Sequence, residues 1–136
     1  MATFESTIRE INYPQQNVYN LLSDLSNIEK IKDRLPEDKV KDLIFDENSI
    51  SISSPMGAVK LNIIEREEPK CIKFETEKSP LPFNLWIQIL PMNESSCKMK
   101  LTIKAELNPF IKGMVSKPLQ DGLEKVADLL QMIKYE

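Results

Sequence analysis

The sequence predicts an α+β fold: seven antiparallel strands, two short helices between the first strand and the second, and one long C-terminal helix. Three observations carry this. From Lys39 to Leu107 apolar residues recur with a period of two, interrupted by short turn-like separators. Two brief runs at helical spacing precede that region. From Asn108 onward the apolar period becomes three and four.

Taken in order, "TFESTIREI" (3–11) places Phe4, Ser6 and Ile8 on one face of a first strand. Pro14 ends it and pre-sets the φ of a helical turn. Val18, Leu21, Leu22 and Leu25 then give a helix over about 14–25. Ser26 with Glu29 three residues on has the form of a capping box, so a second short helix is expected there, with Ile28 and Ile31 facing inward. Six strands follow, over 42–46, 49–53, 58–66, 71–78, 83–90 and 97–107. The separators "SPMG", "EEPK", "SPLP" and "MNESS" are rich in turn formers. Such short connections imply an antiparallel meander. In the last strand Cys97, Met99, Leu101, Ile103, Ala105 and Leu107 alternate with polar residues, so one face is apolar and the other wet.

The final segment begins with Asn108 and Pro109, an N-cap followed by a first helical residue. Ile111, Val115, Leu119, Leu123, Val126, Leu130 and Ile133 form its apolar stripe. Yet it holds Gly113, Gly122 and Pro118, the residue types that most weaken a helix. Pro118 removes a backbone donor and crowds the carbonyl of Met114, which predicts a bend or a break near 114–118. Gly122 lies near the stripe, where it would allow the backbone to approach the sheet. The half after Pro118 should anchor the fold, and the half before it reads as a lid.

Composition narrows the function. A chain of 136 residues makes one domain, 1–136, able to bury roughly two thirds of its unfolded surface. The net charge is −3, with 18 basic residues dispersed among 21 acidic ones, so the phosphate-neutralising stripe of a nucleic-acid binder is missing. No apolar run reaches the roughly 20 residues of a transmembrane segment. "MATFESTIRE" has no signal-peptide pattern, and a cytoplasmic location is expected. With no histidine, Ser-His and Cys-His nucleophile pairs and His-ligated metals are ruled out. The carboxylates Glu65, Glu67 and Glu68 read as a solvated surface, and neither a metal nor a cofactor is expected. Cys71 and Cys97 fall on strands separated by a third, roughly 9–10 Å apart and on opposite faces, so both read as free thiols.

The order strand, short helices, six strands and long helix resembles the helix-grip fold of the START-like, or Bet v 1-like, superfamily. Within it the chain is similar to the polyketide cyclase/dehydrase and lipid-transport group, SRPBCC. The resemblance rests on "FESTIREINYPQQNVYNLLSDLSNIEKI", on "LWIQILPMNESSCKMKLTIKAELNPF" and on the closing helix. It implies a curved seven-stranded sheet with the helix packed on its concave face. It also implies a small hydrophobic ligand, such as a lipid, isoprenoid or polyketide-like molecule, held between the two without obvious catalysis. A cyclase-like enzyme and a cochaperone-like interaction module are the alternatives.

The pocket is then expected at Leu61, Ile63, Phe74, Leu85, Ile87, Leu101 and Ile103 of the strands and Phe110, Met114 and Val115 of the helix. Its mouth is expected at Ile28, Ile31, Met56, Leu81 and Phe83. Ser6, Glu10 and Thr76 are the candidate polar groups inside. Trp86 falls on the outer face, as an interface candidate or a ring covered by lysine stems. A monomer or weak homodimer is expected.

Overall fold

The computed structural model describes residues 2–27, 29, 44–54, 57–78 and 81–135, with backbone alone at 52–54, 57–58 and 78. Strands are β1 (Ala2–Glu5), β2 (Arg9–Ile11), β3 (Ile44–Phe45), β4 (Ser49–Ser54), β5 (Gly57–Glu67), β6 (Cys71–Lys78), β7 (Asn84–Asn93) and β8 (Ser96–Ala105). Helix α1 is Gln15–Leu22, and helix α2 is Pro109–Met132. The strands form one antiparallel sheet in the order β1-β8-β7-β6-β5-β4-β3, with β2 also pairing β8. The α+β class, the meander and the long terminal helix are as the period analysis expects.

The first strand departs from expectation. Glu5 faces Thr102 on β8, but Arg9 faces Met99. The N-terminal strand thus spends one residue more than β8 between these pairs, a bulge that splits it in two. Because side chains alternate, one extra residue exchanges the faces. Phe4 and Ser6 point inward as the pattern predicts, but Ile8 is 64% exposed and Ile11 takes the core position instead.

Ser6 holds the bulge together. Its hydroxyl accepts the Leu101 N–H at 2.9 Å and donates to the Thr7 carbonyl at 3.0 Å, while its own N–H donates to the Leu101 carbonyl. Here a side-chain oxygen replaces a ladder carbonyl. Ser6 is therefore not a free polar group for a pocket. Glu10 is exposed.

A second slip, between Ile63 and Glu65, places Arg66 opposite Ile72 on the inner face. From there its guanidinium donates to the Ser23 carbonyl at 2.9 Å and to Asn48 at 2.7 Å, pinning the end of α1. Pro14 stands at the N-cap of α1, just before the helix. One further turn, Leu25–Asn27, follows as 3-10 helix. Both the N–H and the hydroxyl of Ser26 donate to Asp24, so Asp24 organises that turn. The second short helix expected from Ser26 runs into residues outside those described.

Helix α2 starts as its sequence dictates, with the Asn108 side chain accepting the Ile111 N–H at 2.9 Å. It runs unbroken through Pro118, so the break considered above does not occur. Its buried residues are Leu119, Leu123 and Ala127, all after Pro118. Val126 of the expected stripe is 36% exposed, and Ile111 37%. After the helix the chain turns in, burying Ile133 and Tyr135. Tyr135 donates to the Leu130 carbonyl, packs edge-on to Tyr13 at 6.1 Å, and receives Asn17 on its own carbonyl. Burial pushes the Tyr135 phenol far above its ordinary range. Cys71 and Cys97 are free, and burial raises both thiols, which disfavours the reactive thiolate.

Ser6→Ala leaves the buried Leu101 N–H without an acceptor and is expected to cost about 1–3 kcal/mol. Urea unfolding checks this; a loss below about 0.5 kcal/mol would mean that main-chain contacts alone hold the bulge.

Candidate ligand-binding site

The register stacks inward-facing residues into rungs across the sheet. One rung joins Phe4, Ile103, Leu85, Phe74 and Ile63, each facing the next. Beyond it lie Leu101, Ile87 and Ile72, then Arg9, Met99 and Ile89, and last Ile11 and Cys97. On the other side of the first rung, Leu61 faces Thr76. The connections β4–β5, β6–β7 and β8–α2 all leave the sheet at this second end.

The two ends differ in how well they are sealed. At the far end Ile72, Ile89, Cys97 and Leu101 are each 0% exposed. Helix α1 and the Ile133–Tyr135 tail close it, with Val18 also at 0% and Tyr135 at 1%, while Leu25 and Ile133 at its margin keep 7%. On the first rung Ile63 and Leu85 keep 8%, Phe4 7%, Ile103 6% and Phe74 3%, and Leu61 beside them keeps 6%. The inner face is slightly less covered at the β6–β7 end. The reason is visible in α2, which contributes no fully buried side chain before Leu119.

The helix is fastened by a polar row adjoining its apolar one. Gln120 donates to the Glu5 carbonyl at 2.8 Å, Glu124 accepts the Thr7 N–H at 2.8 Å, and Gln131 donates to the Glu10 carbonyl at 3.0 Å. Arg9, turned inward by the bulge, bonds Asp128 and Glu124. Those partners, Asp128 foremost, raise its pKa and keep it charged. These contacts tie α2 to the outermost strand and occupy backbone groups that would otherwise invite another chain. All of them lie after Pro118.

Five of the sequence-identified residues, Leu61, Ile63, Phe74, Leu85 and Ile103, come together at the less sealed end. Ile87 and Leu101 lie one rung deeper. Val115 is half-buried against the core. Phe110 and Met114 do not join them, being 78% and 65% exposed. At 3.6 residues per turn they lie on the side of α2 opposite Leu119 and Leu123, so they face away from the sheet. Leu81 and Phe83 are partly buried and pack on the core at this end. Ile28, Ile31 and Met56 lie outside the described residues.

Thr76 is the polar side chain of the Leu85 and Leu61 rungs among the described residues, and its hydroxyl already accepts the Phe83 N–H at 3.1 Å. Trp86 lies on the outer face between Lys73 and Lys104, whose ammonium groups sit 5.2 and 5.5 Å from its ring. Both ammonium groups are within cation–π range of its ring.

No family model matches the sequence, and no curated protein matches it. Solved structures do. Norcoclaurine synthase from Thalictrum flavum, in complex with dopamine and hydroxybenzaldehyde, superposes with a TM-score of 0.74. That match is 17% identical and covers 96% of this chain and 84% of that one. A solution structure from Thermobifida fusca matches at 0.70, with 16% identity over 99% of this chain and 93% of that one. A START superfamily protein from Mycobacterium smegmatis matches at 0.55, with 10% identity over 91% and 98%. The chain has the START-like, or Bet v 1-like, fold. At these identities the likeness speaks for the fold alone.

The glycines of α2 are not explained by close approach. A Cβ added at Gly122 or Gly113 would meet nothing within 4 Å. Gly122→Ala is therefore expected to stabilise the protein by about 1 kcal/mol through helix propensity. The check is a higher urea midpoint at unchanged m; a lower midpoint would mean that the backbone needs glycine there.

Proposed function

We propose that this protein binds a small apolar or amphipathic molecule, of lipid, isoprenoid or polyketide-like character, between its sheet and α2. The observation that carries this is the uneven seal of the core. The inner face is mostly apolar, and Leu85 and Ile63 keep 8% exposure while Ile72 and Ile89 keep none. Ligand sites are typically apolar concavities with few polar groups. In this reading Leu61, Ile63, Phe74, Leu85 and Ile103 line the site, Leu81 and Phe83 rim it, and the half of α2 before Pro118 is its cover.

Magnitudes favour a cover that yields. Pro118 costs a helix about 3 kcal/mol and Gly113 about 1. Burying Leu119 and Leu123 returns roughly 2–3 kcal/mol each, all of it after the proline. The first half therefore receives little packing energy to offset its own penalties.

Binding without chemistry is favoured over catalysis. Among the described residues no titratable side chain lies on the Leu85 or Leu61 rung. Tyr135, whose pKa is strongly shifted, belongs to the sealed end and spends its proton on Leu130. The norcoclaurine synthase likeness keeps an enzymatic reading as the alternative. An interaction module using Trp86 is disfavoured by the lysines that engage its ring.

Solvent extraction and native mass spectrometry of protein purified from cells are expected to reveal an apolar molecule at one per chain. Leu85→Trp separates a site from a filled core. In open space it should cost under about 1 kcal/mol and weaken binding of a fluorescent fatty acid at least tenfold; in a packed core it should cost about 1–3 kcal/mol or more. The second outcome, with no extracted ligand, would overturn the proposal.

A further inference from the structure

Two inward-facing hydroxyls receive main-chain N–H groups, and they differ in one respect. Ser6 uses both of its capacities, accepting the Leu101 N–H and donating to the Thr7 carbonyl. Thr76 uses one. Its oxygen accepts the Phe83 N–H at 3.1 Å, while its own main-chain N–H donates to the Phe83 carbonyl at 3.2 Å. A hydroxyl also carries a proton to donate. Among the described residues nothing accepts the Thr76 hydroxyl proton. The side chain is half-buried, so that proton is open to solvent or to a bound molecule.

We propose that Thr76 is the polar contact of the ligand site, donating its hydroxyl proton to an oxygen of the bound molecule. The ligand is then amphipathic rather than purely hydrocarbon. It carries an acceptor oxygen near one end, such as that of a carbonyl, ester or ether. That end lies on the Leu61 rung beside the β6–β7 connection, and the hydrocarbon runs over Phe74, Leu85 and Ile103. Since Thr76 belongs to the site proposed above, the assignment depends on that site holding a ligand and names the chemistry it takes.

Thr76 faces Leu61 across the β5–β6 pair and lies two residues beyond Phe74, so its side chain shares the inner face. Phe83, which holds the hydroxyl oxygen, packs on the core at the same end. The oxygen is fixed twice over: a threonine χ1 is stiff, and the Phe83 N–H occupies one lone pair. Rotation about the Cβ–Oγ1 bond then aims the proton without moving the oxygen. A few polar groups placed in an apolar lining are what orient a ligand. Leu61, Ile63, Phe74, Leu85 and Ile103 are hydrocarbon side chains and offer no hydrogen bond. A ligand oxygen set against them would lose its water without compensation, which costs free energy. Thr76 is where that cost is offset.

Binding of two probes to the full chain tests this: a pyrene-labelled long-chain methyl ketone and the pyrene-labelled alkane of equal length. The quantity read is the ratio of their dissociation constants, so the difference in their hydrophobicity cancels when variants are compared. Thr76→Val should shift the ratio about fivefold against the ketone, the worth of one hydrogen bond, and leave alkane binding within about twofold. Thr76→Ser, which keeps the hydroxyl, should keep the wild-type ratio. Circular dichroism checks folding, since Thr76→Val also leaves the Phe83 N–H without its acceptor. A second reading needs no variant: the carbonyl stretch of the ketone bound to wild type should lie below its frequency in hexane. An unchanged ratio in Thr76→Val, or a hexane-like stretch in wild type, would overturn the assignment and leave ligand binding standing. Equal weakening of both probes in Thr76→Val would also overturn it, since Thr76 would then only hold the β6–β7 connection in place. Failure of both probes to bind wild type would overturn the assignment and the ligand-binding reading together.

Discussion

One extra residue in the N-terminal strand governs how this molecule is put together. Because strand side chains alternate, the bulge after Ser6 reverses which residues face the helix. Without it Ile8 would point at α2 and Arg9 at solvent. With it, Arg9 lies against Asp128 and Glu124, and the Thr7 N–H meets Glu124. The same slip lets Gln120, Glu124 and Gln131 run along the outermost strand as a rail. The terminal helix is therefore attached by an apolar row and an adjoining polar row, and both begin just after Pro118.

That attachment divides the protein into a sealed end and a looser one. At the sealed end, α1, the Arg66 bridge and the Tyr135 tail leave Ile72, Ile89, Cys97 and Leu101 fully covered. At the other, the first half of α2 continues the helix with little beneath it that is fully buried. Gly113 and Pro118 add a propensity cost on the side that has least packing to offset it. Local stability follows buried contacts, so the elements that move for ligands are drawn from such regions. The ligand proposal concerns the inner side of this half-helix.

Much of the architecture was legible because it depends on period alone. The six later strands, the inner face from Val59 to Ala105 and the Asn108–Pro109 start follow from alternation and capping chemistry. The bulge was not legible, since "TFESTIREI" alternates plausibly in either register and only pairing with β8 decides. For that reason alternation alone puts Ile8 on the wrong face. Apolarity alone points Phe110 and Met114 inward, whereas the helical turn counted from Leu119 puts them outside. Side-chain size favours Val126 in the apolar stripe, but Ala127 continues the Leu119–Leu123 row and is the one buried. The polar row had a usable signal: Gln120, Glu124, Asp128 and Gln131 recur at the spacing of the apolar row, one residue behind it. The Tyr135 tail had none, since its burial depends on where the chain end meets α1.

The central claim is that α2 is anchored after Pro118 and only loosely held before it. Amide hydrogen exchange, read by mass spectrometry along α2, tests this directly. The account predicts that amides over 121–132 exchange at rates near those of the β7–β8 core. Amides over 112–117 should exchange at least tenfold faster and slow when an apolar ligand is bound. Uniform protection along the whole helix, unchanged by ligand, would contradict it.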